Sequence, residues 1–355
     1  MGPVRATRAY YYCGQCRQGH CPWDETLGTT STDLTPGATE LTTLAGTLTS
    51  FEEARAKVLP RMVGLHLAES TVERITEGVG KRVKNDRASG RTYGTRCRWQ
   101  WHTDATGQRC AYVSLDATGV GQQGPGGTAA EGRMAYVGMI FNPPRPQDNA
   151  AGPSQARYLA GLYDLKELGL QMRREGAHVG MDEADRWIAL TDGGIGLEEF
   201  LRVNFPRAEC ILDFYHAAEH INDLAKAWYA DEEQARTQAQ TWCHMLKHEG
   251  GQALLAQLQA LELRGKSATA REVHRQVTQY VSNQCHRMDY PRYRANGWLI
   301  GSGHVESACK TVVGARLKGS GMRWSEEGAD VVCHLRALFK SDAGQWDAFW
   351  RPGAN

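Results

Sequence analysis

The chain has 355 residues, 41 Lys+Arg against 40 Asp+Glu, and a formal net charge of +1. That length allows a sizeable core shared among two or three domains. No run nears the roughly 18 apolar residues of a membrane span, and the N-terminus lacks the charged-then-apolar order of a secretory signal. The ten cysteines stand mostly isolated in apolar surroundings, as reduced thiols do, so a cytosolic protein without a disulfide frame is expected. Charge is unevenly placed: residues 1–110 carry a net +4, 111–281 −6, 282–325 +5 and the remaining tail −2. Basic segments around an acidic middle suit a polyanion held at two ends about a carboxylate-bearing site.

At the start, "RAYYYCGQCRQGHCPWDETLG" puts Cys13 and Cys16 in a CxxC knuckle after a β-like aromatic run. This is half of a zinc ribbon. Tetrahedral zinc needs a second pair, and the adjacent His20 and Cys21 are awkward as two ligands of one ion. Residues 48–83 then read as two helices about a glycine turn. Ser50 and Glu53 form a capping box, Gly64 to Leu67 the turn, and Val72, Ile75 and Val79 a buried face. With Arg74, Lys81, Arg82 and Lys84 on or after the second helix, the pair fits a helix-turn-helix, although most helical hairpins are packing units. The polar stretch from Asn85 to about Thr106 reads as a linker.

Strands and helices alternate from there. "CAYVSLDATGV" (110–120) is a strand ending in Asp116, joined through a glycine-rich loop to "MAYVGMIF" (134–141) as a wide hairpin. Residues 156–176 read as helix. "RWIALTDGG" (186–194) is a short strand ending in Asp192, followed by a helix through "LEEFLRVNF". "AECILDFYHAAEHINDLAKAW" supplies a strand, a turn and a long helix. Residues 217 to about 285 are almost wholly helical. In "SGHVESACKTVVGARLKGSGMRW" (302–324), Val305, Ala308, Cys309, Val312 and Val313 make an apolar stripe with Glu306 at its edge. That glutamate is either a boundary residue paired with Lys310 at i,i+4 or a ligand aimed into a cleft. An amphipathic helix capped by Ser325 closes the chain.

Two strand-end aspartates and a helical glutamate are what a pair of Mg²⁺ ions needs, with Mn²⁺ as a substitute. Hard cations prefer carboxylate oxygens, and two of them stabilise the attacking and departing oxygens of an in-line phosphoryl transfer. For either aspartate alone an ordinary turn role is the better account. "HAAEH" (216–220) also matches a zinc-peptidase pattern, but His216 follows directly on a strand, whereas that pattern needs both histidines well inside a helix. Asp213 and His216, three apart beside Asp192, fit better as groups reaching the cleft or DNA.

With these elements in order, the sequence resembles the Kra family of bacterial insertion-sequence transposases, related to the Mutator-like superfamily. The matching stretches are the CxxC before "PWDETLG", "ESTVERITEGVG", "SLDATGV", "EGRMAYVGMIF", "LTDGGIGLEEFL", "CILDFYHAAEHI" and "NGWLIGSGHVESACKTVVGARLKGSGMRW". The resemblance implies an α/β protein with a ribonuclease-H-like core and an all-helical insertion, preceded by a partial zinc ribbon and a helix-turn-helix. Its divisions would be 1–30 (ribbon), 31–106 (helix-turn-helix and linker), 107–216 (first part of the core), 217–285 (insertion) and 286–355 (last part of the core). It implies a Mg-dependent DDE triad of Asp116, Asp192 and Glu306, with Asp213 and His216 as an auxiliary aspartate-x-x-histidine motif.

Arg74, Lys81 and Arg82, and Arg316, Lys318 and Arg323, would contact DNA, and Cys13 and Cys16 would bind zinc. The insertion would carry a tryptophan near the cleft, with Trp228 and Trp242 as candidates, although for each a buried core tryptophan is the default. Family members carry a fuller ribbon than the single knuckle seen here. The implied partners are the element's terminal inverted repeats and target DNA. A homo-oligomer on that DNA, at the bacterial nucleoid, is expected. The alternative is a truncated or domesticated derivative that binds DNA without transposing.

Overall fold

A computed structural model describes residues 7–27, 34–144, 155–194, 196–342 and 344–351. The parts of the expected ribbon at 1–6 and 28–30 lie outside them. A small antiparallel hairpin, β1 (Tyr11–Cys13) and β2 (Gln18–His20), opens the chain and leads into α1 (Pro22–Leu27). α2 (Pro36–Leu48) follows, with Thr35 as its N-cap. α3 (Phe51–Glu53) runs through a π turn (Ala54–Val58) into α4 (Leu59–Val63). Ser50 accepts from Glu53 N at 3.1 Å, the first half of the expected capping box. Gly64 ends the helix in the left-handed region at φ 68°. α5 (Glu69–Ala88) then buries Val72, Ile75 and Val79 as their spacing predicts.

The stretch after α5 is not a free linker. Trp99 and Trp101 are buried, and Trp101 Nε1 donates to Gly180 O at 3.0 Å. Two tryptophans in "RCRWQW" carry more apolar surface than a solvated connection leaves exposed, and they lie under the sheet.

The centre is a mixed sheet of β3 (His102–Thr103), β4 (Arg109–Gln123), β5 (Ala129–Asn142), β6 (Gln155–Gly161), β7 (Arg186–Thr191) and β8 (Ala208–Leu212). The order is β6-β5-β4-β7-β8, with β3 pairing β4. β4, β5 and β6 are antiparallel neighbours, whereas β7 runs parallel to β4, and β8 to β7. Both faces are covered, so successive residues of β4 are buried alternately on either side. Cys110 and Tyr112 join one apolar cluster, Ala111, Val113 and Leu115 the other. Such two-sided burial is why the strand reads as a continuous apolar run.

Three expectations are corrected here. β4 does not stop at Asp116 but continues to Gln123, and β5 begins at Ala129, so the hairpin is long and tight rather than wide. Its outer register shifts at a bulge between Val120 and Gln122. Residues 155–161 are a strand, not the start of a helix. Asp164 caps α6 (Leu165–His178) through Lys166 N and Glu167 N and marks the true helix start. Short apolar runs do not separate strand from buried helix by periodicity alone.

After β7 comes α7 (Leu197–Asn204). After β8 come the helices α8 (Phe214–Trp228), α9 (Glu232–Glu249), α10 (Gly251–Gln259) and α11 (Ala268–Gln284), which form a bundle. Trp228 and Trp242 are both buried, Trp242 completely. They belong to the core of this bundle, so neither is the expected tryptophan at a cleft. α12 (Tyr290–Ala295), α13 (Gly303–Ala308), a π turn (Cys309–Gly314), α14 (Ala315–Leu317), α15 (Glu326–Lys340) and α16 (Gln345–Trp350) complete the chain.

α15 is not an amphipathic surface helix, since Gly328 to Leu338 are all buried. It packs on β6 along one side and on α5 along another. Val79 and Val83 of α5 share a cluster with Leu335, Leu338, Trp346 and Phe349. The N-terminal helices are therefore docked on the sheet domain. No helix among the described residues is long and apolar enough to cross a membrane.

Candidate functional site

The register of the parallel strands decides where the acids meet. β4 and β7 pair up to Ser114↔Leu190, and Asp116 and Asp192 each stand two residues further on. β7 and β8 pair up to Thr191↔Leu212, so Asp192 and Asp213 each stand one residue beyond. Asp213 N still donates to Thr191 O at 2.8 Å. Three aspartates thus end up side by side where β7 and β8 end beside the middle of β4. Because strand side chains alternate, Asp116 lies on the same face as Tyr112, the face covered by Val305, Ala308 and Val312. Glu306 belongs to that covering helix.

Asp116 is half-buried. Its Oδ1 accepts from Ala117 N at 2.6 Å and its Oδ2 from Cys309 Sγ at 3.4 Å. Burial pushes its carboxyl above the ordinary value, and the charges of Asp192 and Asp213 push the same way. These causes are desolvation and like-charge repulsion, the usual marks of carboxylates gathered for a purpose. Burial, then Asp116, pushes the Cys309 thiol up, so it stays a donor.

Asp192 Oδ1 accepts from Gly194 N at 2.9 Å in a short turn. Gly193 has φ +84°, and a Cβ there would lie 2.7 Å from Leu212 Cδ1 and 3.4 Å from the Tyr280 hydroxyl. Only glycine fits this turn without strain. Arg287, itself buried, donates to Thr191 Oγ1 at 3.1 Å. The short turn after α11 therefore braces the Asp192 strand end.

Asp213 is fully buried. Its Oδ1 caps α8 by accepting from Tyr215 N at 2.6 Å and His216 N at 3.3 Å. Its Oδ2 accepts from Ser302 N at 2.9 Å and also from Ser302 Oγ. The expectation that it reaches the cleft or DNA is corrected: a short side chain with donors on both oxygens is turned inward. The His216 ring stands by Glu219, with Nδ1 3.6 Å from the carboxylate, and by His220 at 5.0 Å between centroids. α8 begins at Phe214, so His216 sits in its first turn, as the argument against a peptidase site requires.

Glu306 is exposed, and its Oε1 lies 3.3 Å from Ser302 Oγ. Val305 and Ala308 anchor α13 from below. The π turn that follows is a widened helical turn of the kind found at functional sites. Buried Arg336 supports it by donating to Val312 O at 2.8 Å and to Thr311 O.

The basic residues divide. Lys318 Nζ donates to Thr118 Oγ1, two residues beyond Asp116 on β4, which puts a cation at the rim of the site. Arg316 is not a phosphate contact. It is buried between the rings of Phe51 and Trp324, 4.7 Å from each, and donates to Gly46 O at 2.9 Å. Arg323 and Arg74 are exposed. Lys81 pairs with Glu327 at 2.7 Å, and Arg82 lies over Phe349 at 4.5 Å, so both turn toward the C-terminal helices. Cys13 and Cys16 are exposed at the tip of the first hairpin.

Among the described residues, no three His, Cys, Asp or Glu side chains stand close enough together to hold a metal ion. The donor chemistry of Asp116, Asp192 and Glu306 nevertheless fits a hard cation: oxygen donors, with mutual repulsion at Asp116 that a positive charge would relieve. Two contributors escaped the sequence reading. Ser302 carried a usable signal, a serine just before a helix. Cys309 carried none, because its thiol meets Asp116 only through the fold. The chain matches no model of a known protein family, and no curated protein matches it.

Proposed function

We propose that the chain is a DDE-type transposase that cuts the ends of a DNA element and joins them to target DNA. The observation that carries this reading is the register that sets Asp116 beside Asp192, with Glu306 on a helix over the same face. Three antiparallel strands followed by two parallel ones in the order β6-β5-β4-β7-β8 also suit a ribonuclease-H-like core, with α8 to α11 as its insertion. On this reading Asp116, Asp192 and Glu306 hold Mg²⁺. The bound ions would activate the attacking water or 3′-hydroxyl and offset charge on the phosphate. Lys318 then contacts a phosphate beside the reacting one, which positions DNA without reading its sequence. Exposed Arg74 and Arg323 extend that contact, and joining two ends calls for at least two copies.

The test is divalent-dependent nicking and strand joining on DNA carrying the flanking repeats. Asp116→Asn, Asp192→Asn and Glu306→Gln should each abolish both steps while DNA binding persists. Retained cleavage in any purified variant would sink the assignment of that residue. Binding without cleavage by the unaltered protein in Mg²⁺ or Mn²⁺ would leave a DNA-binding derivative as the better reading.

A further inference from the structure

We infer that Ser302 is a positioning residue for Glu306, anchored in turn by Asp213. The inference rests on the reading of Glu306 as a cation-binding carboxylate.

Asp213 clamps two elements at once. It caps the first turn of α8 and holds the residue that precedes α13, the helix bearing Glu306. A second link runs beside it, Phe214 N donating to Ile300 O at 2.8 Å. Between them, a Cβ on Gly301 would come within 2.7 Å of the Tyr215 ring, so residues 300–302 are pressed against the start of α8. The start of α13 is thereby tied to the end of β8, next to the Asp192 strand. Charge-assisted hydrogen bonds of this kind are the strong ones, and burial of Asp213 makes each of them costly to lose.

Ser302 Oγ then touches two carboxylates, Asp213 Oδ2 and, one helical turn on, Glu306 Oε1. A hydroxyl carries one proton. Asp213 and Glu306 share it as acceptors, and the longer, weaker bond to Glu306 is the one that gives way when a cation arrives. Ser302 Oγ thus sets where Glu306 waits. Asp213 does not depend on that hydroxyl alone, because Tyr215 N, His216 N and Ser302 N also donate to it. Ser302→Ala therefore removes the hydroxyl and keeps the clamp. Outer groups that orient a ligand of this kind typically change metal affinity by about 10-fold or more when removed.

The experiment is direct Mn²⁺ binding by electron paramagnetic resonance on the full chain, with thermal melting alongside. The proteins compared are the unaltered chain, Ser302→Ala, Ser302→Thr and Glu306→Gln. The expected result is Mn²⁺ binding that Glu306→Gln removes, that Ser302→Ala weakens about 10-fold, and that Ser302→Thr restores, with little change in Tm. Ser302→Ala binding like the unaltered chain would overturn the inference and leave the role of Glu306 standing. So would equal losses in both serine variants accompanied by a fall in Tm, the pattern of a merely structural residue. Mn²⁺ binding that is indifferent to Glu306→Gln would overturn the reading of Glu306 and the inference with it.

Discussion

The thiol of Cys309 donates to the carboxylate of Asp116 across 3.4 Å, joining the helix after Glu306 to the central strand. It ties Asp116 itself to the segment that bears Glu306. It does not remove the cost of placing Asp116 there, since burial and the neighbouring aspartates still hold that carboxyl above its ordinary value.

Asp116→Asn should therefore stabilise the protein. A carboxyl whose pKa is raised in the fold opposes folding when ionised, and the opposition is complete above the folded pKa. Below the unfolded value, near 3.8, both states are protonated and the difference vanishes. Tm of the variant should exceed that of the unaltered chain by about 1–2 °C at neutral pH, with the gain fading as pH falls toward 4. Melting curves across pH measure it, and a variant less stable at neutral pH would contradict the argument.

Arg316 and Lys318 should separate in their effects although they lie two residues apart. Burial first, then the charge of Arg336, pushes the Arg316 guanidinium down to about 10, and its rings and carbonyl partner are internal. Arg316→Ala should cost stability, on the order of 2–4 kcal/mol in denaturant unfolding, for the lost packing and the orphaned carbonyl. Lys318→Ala should leave stability nearly unchanged. It should weaken DNA binding and reduce the salt slope of log K by about 1.

Gly80→Ala tests whether the N-terminal helices belong to the same folding unit as the sheet. A Cβ at Gly80 would lie 2.6 Å from Val331 O, where α5 crosses α15. Helices this close cannot admit a methyl group without separating, so the variant should lose about 1–3 kcal/mol. Unchanged stability would mean that α5 is not held against α15.

Gly193→Ala places a methyl on a residue at φ +84° and 2.7 Å from Leu212 Cδ1. The left-handed backbone alone costs about 1–2 kcal/mol. The larger effect should fall on the nicking assay, because Asp192 precedes that turn. A variant that folds, melts a few degrees lower and cuts normally would show that the turn does not position Asp192.

Much of the fold was legible in the sequence where local physics decides it. The Ser50 cap, the glycine stop at Gly64 and the buried face of α5 follow from capping chemistry and helical spacing. The apolar runs of β4 and β7, and the stripe under Glu306, follow in the same way. Residues 155–161 were misread because a short buried strand and a buried helix have the same apolar content. α15 looked amphipathic because Asp330, His334 and Arg336 are polar, yet all three are buried. Their partners, Lys84, Tyr163 and Thr311 among them, come from distant parts of the chain.

By itself, then, the sequence determined the acids available and the elements that carry them, since composition and periodicity are local properties. Only the tertiary structure decided which acids stand together. Strand register set Asp116, Asp192 and Asp213 side by side. The same packing turned Asp213 inward onto Ser302 and buried Arg316 between two rings. The physical reason is that hydrogen-bond register and burial are relations between segments far apart in the chain, and no single segment contains them.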